Sequence, residues 1–138
     1  MHTESTTIRR PAILVIDDDR TVHKLVERAL QNFPGTLLHA HEGVEGLRMA
    51  RELRPELVLT DALLPKLDGR EIALRLKSDP ATRAIKVVLM TALYKGTRYR
   101  IEAINSFGVD EYIEKPVDPT RLRKLAEEAE EVAMAVAS

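Results

Sequence analysis

Carboxylates stand where two apolar runs of this chain end. Asp17 and Asp18 follow the run Ala12–Ile16, and Asp61 follows the run 57–60. An unpaired charge is costly to keep away from water. A carboxylate at the end of a buried strand is therefore expected to have a charged partner or a functional role. Mg²⁺ takes a few carboxylate oxygens together with water and phosphate oxygens. We therefore predict Asp18 and Asp61 as direct Mg²⁺ ligands, and Asp17 as a ligand acting directly or through water.

Asp61 is the candidate nucleophile of this acidic group. Phosphoryl transfer depends mainly on positioning and on neutralising the charge of the moving oxygens, so an aspartate beside a metal ion can attack phosphorus and form an acyl phosphate. Thr91 ends a fourth apolar run, and Lys115 follows a short fifth strand predicted around Glu111 to Ile113. An ammonium and a hydroxyl can both donate to the oxygens of the product. We predict Asp61, Thr91 and Lys115 as catalytic residues, and the backbone carbonyl of Leu63 as a further metal ligand.

The elements that position these residues alternate between strand and helix. Continuous apolar runs suit strands that are covered on both faces, and apolar residues at helical spacing separate them. The predicted strands are 12–16, 36–40, 57–60, 87–90 and 111–113, and the helical faces fall within 22–30, 44–50, 72–76, 101–107 and 122–136. This alternation predicts an α/β fold with a doubly wound, five-stranded parallel sheet and five helices. We expect a tail at 1–10 and one domain at 11–138, with the ligand crevice beyond the carboxyl ends of the strands.

Composition excludes several classes of protein. The 138 residues contain 21 Lys and Arg against 22 Asp and Glu, so the basic excess of a nucleic-acid-binding domain is absent. There is no cysteine, which rules out disulfides and thiolate metal sites. No apolar run approaches the length of a membrane span. We expect a soluble cytoplasmic protein that binds neither nucleic acid nor membrane directly.

Together these motifs resemble the receiver domain of two-component response regulators. The resemblance covers about 12–136 and is carried by Asp17-Asp18, by Asp61-x-x-x-Pro65-x-x-Asp68-Gly69, by Thr91-Ala92 and by Lys115-Pro116. It implies a flavodoxin-like sheet in the strand order 2-1-3-4-5. It also implies that Asp61 is phosphorylated, with Mg²⁺ as cofactor, by the phosphohistidine of a histidine kinase or histidine phosphotransfer protein.

The resemblance further implies how the domain acts on its partners. In the family, the threonine moves toward the phosphate while an aromatic residue three positions before the lysine turns inward; these residues are Thr91 and Tyr112 here. The face formed by the fourth helix, the fifth strand and the last helix is the usual site of dimerisation or partner binding, which leaves a homodimer open. The chain would then catalyse only its own phosphorylation and dephosphorylation, so we do not class it as an enzyme.

Two departures from the family pattern concern the rate at which the phosphoryl group is lost and the surface formed after the fourth strand. Leu63 and Leu93 occupy positions that tune hydrolysis in the family, and neither side chain can activate water, which predicts a long-lived phosphoryl group. The segment between Thr91 and Lys115 is slightly longer than usual, and the extra length is expected in 92–99. Its basic, tyrosine-containing part, Tyr94 to Arg100, is either a solvated segment or part of a partner surface.

Three other functions fit these residues less well. A small phosphohydrolase also forms an aspartyl phosphate, but it needs an acid/base two residues after the nucleophile, where this chain has Leu63. A nucleotide-binding domain would need a glycine-rich loop after the first strand. A receiver-like module that has lost phosphorylation is disfavoured because every residue that phosphorylation requires is present.

Several residues have simpler explanations. Asp19 is predicted to cap the first helix, and Asp68-Gly69 to form a turn that leads into the third helix without chemistry. His39 and His41 point to one side of the second strand and could bind a metal only with further ligands. His23 is expected on the surface of the first helix.

Overall fold

Five strands alternate with five helices in the computed structural model, which describes residues 8–93 and 96–137. The strands are β1 (Ala12–Ile16), β2 (Thr36–Ala40), β3 (Leu57–Asp61), β4 (Lys86–Thr91) and β5 (Glu111–Glu114). The helices are α1 (Arg20–Ala29), α2 (Gly43–Leu53), α3 (Gly69–Ser78), α4 (Thr97–Phe107) and α5 (Pro119–Ala137). The predicted strands agree with these bounds to within one residue at each end.

All the strands are parallel, and their order in the sheet is β2-β1-β3-β4-β5. In register, Ile16 lies beside Ala40 of β2 and beside Thr60 of β3. The predicted fold and strand order are therefore confirmed. Because β1 and β3 are neighbours, the residues that follow Ile16 and Thr60 emerge side by side at one edge of the sheet.

Side chains of the strands alternate between two apolar layers. Leu14, Ile16 and Val58 belong to the layer that packs against α2 and α3, whereas Ile13 and Val15 belong to the layer that α1 and α5 cover. Burying one such side chain stabilises a fold by about 1.5–3 kcal/mol. Strand β1, which lies between β2 and β3, is completely buried, so the position of its carboxyl end is fixed by both layers.

Two helices next to the functional edge begin at aspartate caps. The Asp19 side chain accepts a hydrogen bond from the backbone N–H of Thr21 at 2.9 Å. The Asp68 side chain accepts from the N–H groups of Arg70 and Glu71 at 3.0 and 3.2 Å. Such caps satisfy N–H groups that have no partner within the helix. The predictions that Asp19 caps the first helix and that Asp68 leads into the third helix are confirmed.

The predicted faces of the last two helices are partly wrong. In α4 the buried residue is Ala103, whereas Ile101 and Ile104 are 52% and 42% exposed. In α5 the apolar stripe contacts the core only as far as Ala129, and Val136 is 82% exposed because the last turns run past the core. Despite these exposed apolar residues, no helix in the described part of the chain has the length and apolar character needed to cross a bilayer.

A strained residue at the end of α2 gives a test of the backbone geometry. Arg54 has φ 48° and ψ 63°, a left-handed conformation that costs a non-glycine residue about 1–2 kcal/mol. Its side chain is exposed. We expect Arg54→Gly to raise the free energy of unfolding by about 0.5 kcal/mol, since relief of the strain exceeds the entropy that glycine loses on folding.

The matched control is Arg51→Gly, an exposed arginine inside the same helix, which we expect to lower the free energy of unfolding by about 1 kcal/mol. Urea denaturation measures both variants. Destabilisation by both substitutions would contradict the assigned conformation of Arg54.

Candidate functional site

Carboxylates converge at the carboxyl edge of the sheet. Asp17 and Asp18 follow β1 and Asp61 ends β3, and each offers one oxygen that lies within 4.8 Å of the others. Asp17 is completely buried, the Asp61 side chain is 14% exposed, and Asp18 is exposed. The structure thus brings the three carboxylates predicted as metal ligands together in a group that opens from the core toward solvent.

Lys115 places its ammonium among these carboxylates. Its Nζ lies 2.8 Å from Oδ2 of Asp17, to which it donates a hydrogen bond, and 3.5 Å from Oδ1 of Asp61. The lysine is positioned by β5, and its backbone N–H donates to the carbonyl oxygen of Thr91 at 2.7 Å. One cation therefore bridges the buried carboxylate and the candidate nucleophile.

The lysine does not balance the negative charge of the group. Burial and the neighbouring Asp17 raise the pKa of Asp61, and this effect exceeds the lowering by Lys115 and by the backbone N–H of Leu63. Burial by itself would lower the pKa of Lys115, but the hydrogen bond and charge of Asp17, together with the charge of Asp61, raise it. The pKa of Asp61 and the pKa of Lys115 are both raised. Both shifts indicate a local excess of negative charge. A divalent cation would relieve this excess.

Gly69 holds the segment after Asp61 against the start of α3. A Cβ atom at this position would lie 2.1 Å from the carbonyl oxygen of Asp61 and 2.9 Å from the Leu89 side chain. The Gly69 N–H also donates to the carbonyl oxygen of Ala62 at 3.1 Å. This close approach fixes the backbone of the candidate nucleophile.

Thr91 and Tyr112 are both buried behind the carboxylates. Oγ1 of Thr91 accepts a hydrogen bond from the Leu93 N–H at 3.2 Å, and the Thr91 side chain is also hydrogen-bonded to that of Tyr112, whose pKa burial raises. Arg100 of α4 lies over the Tyr112 ring at 5.9 Å and donates to the Tyr112 carbonyl oxygen at 2.9 Å. In this structure the aromatic side chain therefore faces inward and contacts the threonine.

The segment between β4 and α4 is tied to β5. The N–H of Gly96 donates to Oε2 of Glu114 at 2.8 Å, and Gly96 adopts φ 104° at the start of α4. Arg98 and Tyr99 are exposed. Tyr94 and Lys95 lie outside the described residues, so the role of the segment Tyr94 to Arg100 stays a prediction.

The expectation for His23 is wrong. Its ring is 4% exposed, and Nε2 lies 2.7 Å from the backbone carbonyl oxygen of Asp17. The turn from β1 into α1 directs this residue back toward the strand end, where it satisfies a buried carbonyl. His39 and His41 lie beside it. The order of the elements was the one signal in the sequence for this placement. Helix α1 connects β1 to the neighbouring strand β2, so its side chains lie near the ends of these strands.

Comparison with known proteins identifies relatives across most of the chain. The family profile described as the response regulator receiver domain matches residues 13–127. The transcriptional regulator RpaA of Synechocystis sp. is 37% identical over 108 residues, which are 78% of this chain and 44% of RpaA. The polar-differentiation response regulator DivK of Brucella anthropi is 32% identical over 80% of this chain and 88% of its own length. The chain thus spans less than half of RpaA but most of DivK.

The fold is also shared with solved structures. The signal receiver domain of a signal transduction histidine kinase from Syntrophus aciditrophicus superposes with a TM-score of 0.75 at 28% identity. The match covers 86% of this chain and 89% of that domain. The similarity thus extends over nearly the entire described sheet and its helices.

The raised pKa of Asp61 predicts how stability depends on pH. A carboxyl whose pKa is raised by folding contributes stability below its unfolded pKa and loses it as the pH rises through the folded pKa. In metal-free buffer, we therefore expect Asp61→Asn to be about 1 kcal/mol more stable than the wild type at neutral pH, and the difference to shrink as the pH is lowered. Urea denaturation at a series of pH values with a chelator measures it.

Asp19→Asn is the control, because asparagine caps a helix as well as aspartate does and should change stability by less than about 0.5 kcal/mol. Added Mg²⁺ should reduce the advantage of Asp61→Asn, since a cation that binds only the folded wild type stabilises it. A wild type that is more stable than Asp61→Asn at neutral pH without metal would contradict the charge excess.

Proposed function

The chain belongs to the response regulator receiver domain family, and from that premise we propose that Asp61 accepts a phosphoryl group from a partner's phosphohistidine. The observation that carries the proposal is the position of the Asp61 carboxylate. It is partly exposed at the sheet edge, beside two further carboxylates and 3.5 Å from the Lys115 ammonium. A nucleophile in this setting is accessible to a donor and has a cation ready for the charge it acquires.

Mg²⁺ is the proposed cofactor, and the donor set fits it. Oxygen ligands of the carboxylate type are those that Mg²⁺ prefers, and the group offers an oxygen from each of Asp17, Asp18 and Asp61. The Leu63 backbone carbonyl is a proposed additional ligand. The cation would neutralise charge on the transferring phosphoryl oxygens.

The proposed reaction moves one phosphoryl group. An oxygen of Asp61 forms a bond to phosphorus while the bond from phosphorus to the donor imidazole nitrogen breaks, and the electron pair of that bond stays on the imidazole. Lys115 is already within ion-pair distance of Asp61, so its ammonium can donate to an oxygen of the bound phosphoryl group. Thr91, at the end of the neighbouring strand β4, supplies a hydroxyl for another.

The proposed output is a change in partner affinity through Thr91 and Tyr112. A ligand shifts a conformational equilibrium only by its differential affinity for the two states. The hydrogen bond between the two side chains couples the phosphorylation site to β5, and the contact of Arg100 with Tyr112 extends this coupling to α4. We propose that a downstream protein partner, or a second copy in a homodimer, binds the face of α4, β5 and α5.

The donor partner and the location complete the proposal. A receiver domain implies a histidine kinase or a histidine phosphotransfer protein as its donor, and the cytoplasm as the compartment where they meet. The chain would catalyse only its own phosphorylation and dephosphorylation. The phosphohydrolase alternative is not favoured, because Leu63 stands where that class needs an acid/base.

Intact mass measurement tests the central claim. We expect wild-type protein incubated with Mg²⁺ and a small phosphodonor to gain one phosphoryl group, and Asp61→Asn to gain none. A chelator should abolish the gain. Lys115→Arg keeps the positive charge with a different shape and should slow the gain. Equal labelling of Asp61→Asn, or none of the wild type, would refute the proposal.

Leu63 and Leu93 predict a slow loss of the phosphoryl group. Leu93 is 72% exposed and Leu63 partly exposed, and neither side chain can activate or orient an attacking water. We expect the phosphorylated form to persist for minutes or longer at room temperature, as followed by mass after donor removal.

Leu63→Glu should shorten the lifetime by about 10-fold or more, in line with a general base at this position. Leu74→Glu, at an exposed leucine of α3, is the matched control and should leave it unchanged. Complete loss of the phosphoryl group from wild type within seconds would contradict the prediction.

A further inference from the structure

A group of histidines lies beside the phosphoacceptor site but takes no part in it. His23 of α1 and His39 of β2 face each other with their Nδ1 atoms 2.7 Å apart. The ring of His41 lies against that of His23, with centroids 4.4 Å apart. Burial falls from His23, which is buried, through the half-buried His39 to the exposed His41, so the group is open to solvent on one side.

The outer partners of two of these rings fix where their protons lie. Nε2 of His23 is 2.7 Å from the carbonyl oxygen of Asp17, which can only accept, so this nitrogen carries hydrogen. Nε2 of His39 is 3.1 Å from a carboxylate oxygen of Glu27, which also only accepts when ionised. When both rings are neutral, each Nδ1 therefore bears a lone pair.

Two lone pairs directed at each other over 2.7 Å need a positive charge between them. A proton would make one ring an imidazolium, but burial and the neighbouring His23 and His41 lower the pKa of His39, against the opposing effect of Glu27. A bound metal cation meets the same requirement without protonating either ring. Neutral imidazole is also a preferred ligand of the first-row transition metals.

We propose that His23, His39 and His41 form a binding site for a divalent transition-metal ion such as Zn²⁺, separate from the carboxylate site. Histidines that bind metals almost always donate their other N–H to a carboxylate or a backbone carbonyl. His23 and His39 already make these outer contacts, to Asp17 and Glu27 respectively. Glu27 is thus a positioning residue.

Metal binding requires small movements of the exposed side of the group. Tetrahedral coordination at about 2.0–2.1 Å separates two ligand nitrogens by roughly 3.3 Å, so the rings of His23 and His39 must move apart by several tenths of an ångström. Among the described residues, only Asp17, Asp18 and Asp61 already bring three ligand atoms within 4.8 Å of one another. The exposed His41 side chain must therefore rotate to supply the third nitrogen.

Competition with a coloured chelator tests the site, with Zn²⁺ as the probe and Mg²⁺ in excess to occupy the carboxylate site. We expect one Zn²⁺ per wild-type chain. His39→Ala should weaken binding by more than about 100-fold, and Glu27→Gln, which alters only an outer contact, by about 10-fold. Both side chains are at least partly exposed, so the variants should remain folded, which circular dichroism checks.

Two controls separate this site from other ligands. His2→Ala removes the remaining histidine of the chain and should leave Zn²⁺ binding unchanged, as should Asp61→Asn. Addition of Zn²⁺ should also change the ¹⁵N chemical shift of His39 Nδ1. The absence of Zn²⁺ binding, or undiminished binding by His39→Ala, would overturn the proposal, whether or not Asp61 is phosphorylated.

Discussion

The contact between Asp17 and Lys115 is the interaction on which the rest of the site depends. Asp17 is completely buried, and removing one partner of a buried ion pair costs a fold about 3–5 kcal/mol. Its other polar atoms are engaged as well: its N–H donates to Ala40, its Oδ1 accepts from the Asp19 N–H, and its carbonyl accepts from His23. One residue thereby joins the ends of β1, β2 and β5 to the first turns of α1.

The chemistry of Asp61 follows from what this contact leaves unbalanced. Lys115 makes its short hydrogen bond to Asp17, and its distance to Asp61 is 3.5 Å. Asp61 therefore shares the Lys115 ammonium with Asp17, which holds it more closely. Burial also disfavours the ionised form of Asp61. A carboxylate that was fully paired would be more stable and less reactive. The site accordingly resembles other functional centres, in which local stability is lower so that a ligand can supply the missing charge.

Sequence reasoning located the strands and the carboxylates at their ends because those features are local. Apolar runs end where the carboxylates begin, and caps such as Asp19 depend on residues two or three positions away. It failed where the outcome depends on distant packing. His23 is buried against the carbonyl oxygen at the end of β1, and α4 buries Ala103 while Ile104 is exposed. The closeness of Gly69 to the Asp61 carbonyl likewise appears only when β3 and α3 are in place.

The hydrogen bond between Thr91 and Tyr112 constrains how the proposed phosphorylation of Asp61 would affect α4. A hydroxyl has one proton to donate and two lone pairs to accept, and one lone pair of Thr91 already accepts from the Leu93 N–H. When Thr91 donates its proton to a phosphoryl oxygen, its contact with Tyr112 survives only if the tyrosine hydroxyl donates to the second lone pair. Chains of hydrogen bonds that run in one direction strengthen one another. A phosphoryl group that engages Thr91 would therefore favour the inward position of Tyr112, and with it the contact that Arg100 makes across the ring.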